Sequence, residues 1–162
     1  MSPNLKAADW HLVGVVSDTH GLVRPEVLKV LEGTELIVHA GDIGMADVLR
    51  AFRTIAPVVA VRGNVDNGRW ARALHKTAVV EVDGTILYVI HDLGELDLDP
   101  VAEGLSVIIS GHSHRPSLAK RKGVLYVNPG SAGVCRFTSP VSVALISIKK
   151  GTVETKLVKI PT

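Results

Sequence analysis

Cysteine is nearly absent from the chain, which has only Cys135 among its 162 residues. A disulfide within the chain is therefore excluded, and a cytoplasmic location is the natural expectation. Aromatic residues make up only 4% of the chain, and no apolar run approaches the roughly 18 residues of a membrane-spanning helix. The first residues also lack the basic and apolar regions of a secretory signal, so we expect neither export nor membrane association.

Neither sign of charge predominates, since the formal net charge is +2. The two basic clusters, Lys120-Arg121-Lys122 and Lys149-Lys150, each lie next to a glycine, which is typical of solvated turns. A protein that binds nucleic acid through its surface usually carries a larger basic patch. We therefore expect no stable nucleic-acid binding.

The residue composition indicates a globular fold with a substantial core. Hydrophobic residues make up 46% of the chain, and few of them are aromatic. A length of 162 residues suffices for one domain and is too short for two ordinary ones. We interpret residues 1–162 as one domain, in which residues 1–10 form a loose lead-in.

Strand and helix patterns alternate in the first part of the chain. Short β-branched runs predict strands at residues 12–16, 36–39 and 58–61. Between them, apolar residues at helical spacing predict helices at residues 24–32 and 46–56. A β-α-β-α-β order produces parallel strands that are covered by helices.

The rest of the chain has the pattern of antiparallel strands. Two hairpins with glycine in their turns are predicted, from residues 78–82 with 85–90 and from residues 141–148 with 153–160. Further strands are predicted at residues 105–109 and 123–127. The sequence therefore predicts an α/β fold that contains both parallel and antiparallel strands.

Side chains that commonly bind metals follow almost every predicted strand. His112 and His114 are the most distinctive, because alternate residues of an extended chain project to the same side. The full set offers only nitrogen and oxygen donors and consists of Asp18, His20, Asp42, Asn64, His91, His112 and His114. Ligands of open α/β sheets bind beyond the carboxyl ends of the strands, so we expect these seven side chains to converge at one edge.

Each of these residues also has an ordinary structural interpretation. Asp18 could cap a helix, Asp42 could stabilise a turn, and His20 could be a hydrogen-bonded loop residue. Together, however, these interpretations do not explain why strand after strand ends in Asp, Asn or His. A donor set without thiolate suits Mn²⁺, Fe, Zn²⁺ or Ni²⁺. Seven ligands are too many for one tetrahedral ion, whereas two ions roughly 3.5–4 Å apart would use them all.

The order of the motifs resembles that of the calcineurin-like metallophosphoesterases, and most closely their small single-domain prokaryotic phosphodiesterases. The matching motifs are Asp18-Thr19-His20, Gly41-Asp42, Gly63-Asn64-Val65-Asp66, His91 and Gly111-His112-Ser113-His114. The resemblance implies an αββα sandwich, in which two mixed β-sheets are flanked by helices. It also implies hydrolysis of a phosphodiester by in-line attack of a hydroxide that bridges two divalent ions, with Mn²⁺ as the first expectation.

The resemblance further implies how the ligands are divided. Two groups share one carboxylate: Asp18, His20 and His114 around one ion, Asn64, His91 and His112 around the other, and Asp42 between them. Asp42, Asn64 and His112 are accordingly the expected catalytic residues.

Other residues near the motifs are candidates for supporting roles. We expect His39 and Asp66 to orient the ligands through hydrogen bonds. Arg115, Asn128 and Arg136 are candidates for contacts with a substrate phosphate. The alternatives are a structural strand-end histidine at position 39 and solvated loop arginines at positions 115 and 136.

Two residues depart from the family pattern. Many relatives have histidine at the third position of Gly-Asn-x-Asp, where it is thought to protonate the leaving group, but this chain has Val65. Valine cannot donate a proton, so we expect better turnover of aryl than of alkyl phosphodiesters. Asp92 follows His91 where relatives usually have glycine, and it adds negative charge near the site.

Two other functions are compatible with the same motifs. The site could serve a phosphomonoesterase or nucleotidase acting on a nucleotide. The fold could also serve as a non-catalytic protein-binding scaffold, as it does in the retromer scaffold subunit. The seven candidate ligands favour an enzyme, whereas the absence of a proton donor at Val65 leaves a scaffold function as an alternative. The sequence leaves homo-oligomerisation open as well.

Overall fold

The structure, a computed structural model, describes residues 10–135 and 139–162. The predicted lead-in, apart from Trp10, and the candidate residue Arg136 lie outside the described residues. Within the described ranges, no helix is long and apolar enough to cross a membrane.

The described elements alternate as predicted in the first part of the chain and are mostly strands thereafter. In chain order they are β1 (His11–Val16), α1 (Pro25–Val30), β2 (Leu36–His39), α2 (Ala46–Arg53), β3 (Val58–Ala60), α3 (Arg69–Arg72), β4 (Thr77–Val82), β5 (Thr85–Ile90), a 3₁₀ turn (Leu93–Glu95), β6 (Val107–Ile109), β7 (Ser117–Arg121), β8 (Val124–Asn128), β9 (Val141–Lys149) and β10 (Thr152–Ile160).

The strands form two mixed sheets of five strands each. The first has the order β10-β9-β1-β2-β3, with β1, β2 and β3 parallel and β9 antiparallel to β1. The second has the order β4-β5-β6-β8-β7, with β5, β6 and β8 parallel and antiparallel strands at both edges. The prediction of an α/β fold with two mixed sheets is therefore confirmed.

Aliphatic side chains from both sheets form the core between them. Val13 and Val15 of β1 belong to the same buried cluster as Leu87 and Val89 of β5, because alternate residues of a strand share a face. The intervening residues of the first sheet pack on the helices, where Phe52 of α2 is fully buried. Burial of each such side chain contributes roughly 1.5–3 kcal/mol relative to exposure.

The outer face of the second sheet is covered differently. Its side chains pack against Leu93, Leu96 and Leu98 from the segment after β5, and the only helical part of that segment is the 3₁₀ turn. Asp92 begins this turn by accepting a hydrogen bond from Gly94 N–H at 2.9 Å. The second helical layer of the expected αββα sandwich is thus reduced to one turn in the described part of the chain.

The strand β7 is absent from the sequence-based prediction. Lys120 and Arg121 were predicted in a solvated turn, which is wrong, because both lie in this edge strand and Lys120 pairs with Leu125 of β8. The turn itself consists of Lys122 and Gly123, which both have positive φ. Most side chains of β7 are exposed, so the strand lacks the apolar alternation that reveals a half-buried strand.

Candidate metal centre

The carboxyl ends of strands from both sheets meet at one edge of the sandwich. His91, after β5, places Nδ1 at 2.7 Å from the carbonyl oxygen of Ala40, after β2. His112, after β6, donates its backbone N–H to Oδ2 of Asp18, after β1, at 3.0 Å. The predicted convergence therefore involves two sheets rather than one sheet edge.

The first group of candidate ligands consists of Asp18, His20 and His114. Ligand atoms of these three residues all lie within 4.8 Å of one another. Asp18 Oδ2 accepts hydrogen bonds from Ser17 Oγ at 2.6 Å and from His112 N–H. These bonds leave Oδ1 directed at the imidazoles, 3.3 Å from His114 Nε2 and 3.8 Å from His20 Nε2.

The second group consists of Asp42, His91 and His112, whose ligand atoms also lie within 4.8 Å of one another. Because a carbonyl can only accept, the contact with Ala40 assigns the His91 proton to Nδ1 and leaves a lone pair on Nε2. This Nε2 lies 3.3 Å from Asp42 Oδ2 and 3.0 Å from the amide oxygen of Asn64.

Asp42 belongs to the second group and also faces the first. Its Oδ1 accepts a hydrogen bond from Val65 N–H at 3.0 Å, which fixes the plane of the carboxylate. Its Oδ2 lies 3.7 Å from Nε2 of His20 in the first group and 3.3 Å from Nε2 of His91 in the second. One oxygen atom therefore faces a histidine of each group.

These side chains fit divalent cations because their lone pairs face one another. Asp18 Oδ1 and His20 Nε2 are buried and form no hydrogen bond within the described residues. A buried polar atom without a partner costs about 1–3 kcal/mol, which a cation would offset. The Asn64 oxygen likewise faces only acceptors, on Asp42 and His91, and only a rotated amide would donate to them. A cation between these atoms suits the amide oxygen as a ligand.

The pKa values of Asp42 and His91 are shifted by their proximity. Burial opposes ionisation of Asp42, but the adjacent His91 ring and the hydrogen bond from Val65 N–H lower its pKa overall. Burial also lowers the pKa of His91, but the contacts with Asp42 and the Ala40 carbonyl, with the charge of Asp18, raise it overall. The ionised carboxylate of Asp42 and the lone pair on His91 Nε2 both attract positive charge, so the pair is complementary to a metal ion.

The backbone around the site adopts conformations that side chains disfavour. Eight non-glycine residues among those described have positive φ, and five of them are candidate ligands: Asp18, His20, Asp42, His112 and His114. Each such residue costs roughly 1–2 kcal/mol relative to a right-handed conformation. Strain of this kind is found mainly where function requires it, so its concentration here indicates a functional site.

His39 connects the loops that carry the ligands and contacts no ligand side chain by hydrogen bond. Its Nδ1 accepts from Gly41 N–H at 3.1 Å, so the proton lies on Nε2, which donates to Thr19 Oγ1 at 2.9 Å. Thr19 in turn donates to the carbonyl of Ile43. Burial, with the neighbouring His91, lowers the pKa of His39 to about 3, so the ring is neutral in this network.

Asp66 performs a similar connection between loops. Its Oδ1 accepts a hydrogen bond at 3.0 Å from the N–H of Gly44, which follows β2. Its Oδ2 accepts a hydrogen bond at 2.8 Å from the N–H of Gly63, which follows β3. Both bonds involve backbone atoms, so Asp66 positions the loops of Asp42 and Asn64 rather than their side chains.

The three candidate substrate residues have different surroundings. The Asn128 amide donates to the Gly111 carbonyl and to Ser113 Oγ, and its oxygen accepts from Gly130 N–H. It thereby holds the loop of His112 and His114. Arg115 is exposed, and Arg136 lies outside the described residues. Contact of these residues with substrate stays a prediction.

Two basic residues that the sequence interpretation did not identify lie beside the candidate ligands. Arg62 and Lys76 line a cavity of about 110 Å³ together with Asn64, His91 and His112. Neither forms an ion pair with another residue of the described ranges. The position of Arg62 directly before the Gly63-Asn64 motif was a usable signal, whereas Lys76 comes close only through the fold.

Close backbone packing at Gly44 yields a testable prediction. Gly44 has φ +99°, and a Cβ there would collide with the backbone of His20 and Gly21. Gly33 has φ +88°, but no atom lies within 4 Å of the position that a Cβ would occupy. Gly33→Ala should therefore lose about 1–2 kcal/mol of unfolding free energy from its backbone conformation alone. Gly44→Ala should lose at least about 1–3 kcal/mol more in urea denaturation, because the collision adds to the same cost. Equal losses would contradict this account.

Comparisons with known proteins identify the family to which the chain belongs. Residues 12–151 match the model of the calcineurin-like phosphoesterase superfamily domain. A probable metallophosphoesterase of Methanothermobacter thermautotrophicus is 32% identical over 160 residues, which cover 91% of this chain and 92% of that protein. The phosphodiesterase MJ0936 of Methanocaldococcus jannaschii is 28% identical over 137 residues, 73% of this chain and 82% of that protein.

The fold also has solved counterparts. The crystal structure of Chaetomium thermophilum Vps29 superposes with a TM-score of 0.74 at 22% identity, and covers 93% of this chain and 100% of that one. At this identity the likeness concerns the fold alone. The match over residues 12–151 and the 32% identical relative, by contrast, extend through all the motifs. The chain belongs to the calcineurin-like phosphoesterase superfamily.

Proposed function

We propose that this protein is a phosphodiesterase that uses two divalent metal ions, with Mn²⁺ as the first candidate. The observation that carries the proposal is the position of Asp42 Oδ2, within 4 Å of a histidine from each of two separate ligand groups. Two ions that share a carboxylate are a common arrangement for in-line displacement at phosphorus. Relatives that are named phosphodiesterases support this reaction class.

The ligand roles in this proposal follow the two groups. Asp18, His20 and His114 would hold one ion, Asn64, His91 and His112 would hold the other, and Asp42 would be shared. Two divalent ions bound there would supply Lewis acidity and lower the pKa of water to about 7. The protein supplies the rest of the site: Ser17 and Val65 N–H fix the carboxylates, and the Ala40 carbonyl fixes the His91 tautomer.

Arg62 and Lys76 extend the proposal to the substrate. A phosphodiester carries a negative charge, and both cations line the same cavity as three candidate ligands. An arginine can bind two phosphate oxygens at once, whereas lysine acts as a point charge. We therefore infer that these residues hold the phosphate against the metal centre, in addition to or instead of Arg115 and Arg136.

A small substrate and a cytoplasmic location complete the proposal. The metal-centre cavity of about 110 Å³ admits a phosphate group rather than a nucleic-acid duplex. A single free cysteine, which forms no disulfide within the chain, suits a reducing compartment.

Hydrolysis of bis-p-nitrophenyl phosphate tests the function directly. The metal-free protein should be inactive, Mn²⁺ should restore turnover, and excess chelator should remove it again. Calorimetry should detect two Mn²⁺ ions per chain, since seven donors form two groups. Faster hydrolysis of p-nitrophenyl phosphate would favour the phosphomonoesterase. Binding of two ions with no hydrolysis of either ester would favour the scaffold instead.

A further inference from the structure

A second, larger cavity lies on the outer face of the second sheet, where the helical layer is reduced to the 3₁₀ turn. Its volume is about 240 Å³, and its lining includes Leu93 from that turn, Ala119 and Arg121 of β7, and Tyr126 of β8. Ala119 and Tyr126 are directly paired across the two strands, so their side chains share this face.

This outer cavity adjoins the candidate metal centre. Asp92 and His112 line both the outer cavity and the metal-centre cavity of about 110 Å³. His112 Nε2 lies 3.9 Å from Asp92 Oδ2, so the two residues form the boundary between the cavities. Together the cavities fall at the lower end of the size range of small-molecule sites, roughly 300–1,000 Å³. A substrate with its phosphate at the metals can therefore extend an ester substituent into the outer cavity.

The lining has the chemistry to hold a flat aromatic group. The Arg121 guanidinium lies over the Tyr126 ring, 5.0 Å from its centroid. Held in this way, a planar cation offers a platform on which a heteroaromatic base can stack, and Leu93 adds apolar contact.

The boundary between the cavities has the chemistry to hold a sugar. Asp92 Oδ1 accepts from Gly94 N–H, which fixes the carboxylate, and Oδ2 has no hydrogen bond within the described residues. A carboxylate oxygen there accepts a hydrogen bond from a hydroxyl group but repels a second phosphate. The outer cavity thus suits a group that is aromatic at one end and hydroxylated near the phosphate.

From these contacts we propose that the outer cavity binds the nucleoside of a nucleotidyl phosphodiester, with the base against Arg121 and the ribose near Asp92. The inference rests on the proposed phosphodiesterase function and adds the substrate class. Asp92, which departs from the usual glycine of the family, then has a role in substrate selection.

Two substrates with the same leaving group test the proposal. Thymidine 5′-(p-nitrophenyl phosphate) and methyl p-nitrophenyl phosphate differ only in the group that remains on phosphorus. The Mn²⁺-loaded protein should show a kcat/KM at least about tenfold higher for the thymidine ester, as expected for one stacked base. Equal values for the two esters would overturn the proposal.

Variants of β7 test whether the preference for the thymidine ester depends on the outer cavity. Ala119→Phe fills the outer cavity, so the preference for the thymidine ester should disappear. Leu118→Phe is the matched control, because Leu118 lines a separate cavity on the opposite side of the strand and the variant should keep the preference. Arg121→Leu removes the stacking platform without adding bulk and should weaken the preference too. Retention of the full preference in both Ala119→Phe and Arg121→Leu would overturn the proposal.

Equilibrium binding separates this inference from the proposed function. In calorimetry with the Mn²⁺-loaded protein, adenosine 5′-monophosphate should bind at least about tenfold more tightly than methyl phosphate, and Ala119→Phe should remove the difference. That result together with no ester hydrolysis would reject the phosphodiesterase and retain the nucleoside site. Ester hydrolysis with equal binding of the two phosphates would retain the phosphodiesterase and reject the nucleoside site.

Discussion

Asp42→Asn is expected to lower the hydrolysis of bis-p-nitrophenyl phosphate by more than about 100-fold and to weaken binding of both metal ions. Partners that only orient a ligand typically contribute about 10–100-fold to metal affinity or activity, so the shared ligand should contribute more. The amide keeps an oxygen for the hydrogen bond from Val65 N–H, but it removes the negative charge between His20 and His91. Turnover and Mn²⁺ stoichiometry are the measurements.

Asp47→Asn is the control for this substitution. Asp47 belongs to α2, five residues from Asp42, and is exposed and paired with Arg50 on the helix surface. The same chemical change there should leave activity and metal content as they are. If Asp42→Asn retained two ions and full turnover, Asp42 would not be the shared ligand, and Asp18 Oδ1, which lies 4.0 Å from His91 Nε2, would take its place.

The strands are predictable because their signals are local. The predicted limits of β2 and β5 match the observed ones, and β9 is predicted except for its last residue, since a long aliphatic run between two turns is typical of a buried strand. The predicted helices are too long: α2 ends at Arg53, three residues before the predicted end. Helix ends depend on the last few hydrogen bonds, which the apolar spacing does not determine.

The sequence predicts which residues form the candidate site but not the hydrogen bonds that hold them in place. Seven donors at strand ends are visible in the sequence, but their partners are not. The Ala40 carbonyl that orients His91 and the N–H group of Val65 that holds Asp42 are backbone atoms, and almost any residue type supplies them. The closeness of Lys76 to Asn64 likewise depends on how the second sheet packs on the first. The single domain predicted over residues 1–162 stays a prediction.

The loops at this edge explain why the site needs glycine. Cβ atoms at Gly63 and Gly111 would collide with Asp42 and with Ser17, respectively, in the neighbouring loops. Each glycine therefore lets one loop approach another closely enough for the ligand groups to meet. The motif glycines permit close packing between loops, while Asp18, Asp42 and four histidines of the same loops supply the candidate ligand atoms.

Val65→His is expected to raise turnover of a dialkyl phosphodiester by about 10²-fold while changing turnover of bis-p-nitrophenyl phosphate little. A general acid contributes about 10²–10⁴-fold when the leaving group is a poor one, and little when the leaving group departs unaided. The backbone of Val65 is fixed beside the candidate metal centre by its bond to Asp42, and the residue is 41% exposed. A histidine there can therefore be accommodated without disturbing the core.

The comparison with Val65→Phe decides whether proton donation by histidine causes the gain in turnover. Phenylalanine has a ring of similar size but no proton to donate, so it should reproduce any effect of shape and none of acid catalysis. The gain from histidine should also be lost as the pH rises through about 6.5, because only the protonated imidazole is an acid. Equal rates for the two variants, or a gain that persists at high pH, would show that the leaving group obtains its proton elsewhere. In that case Val65 would not account for a preference for aryl esters, and solvent water would be the donor to examine next.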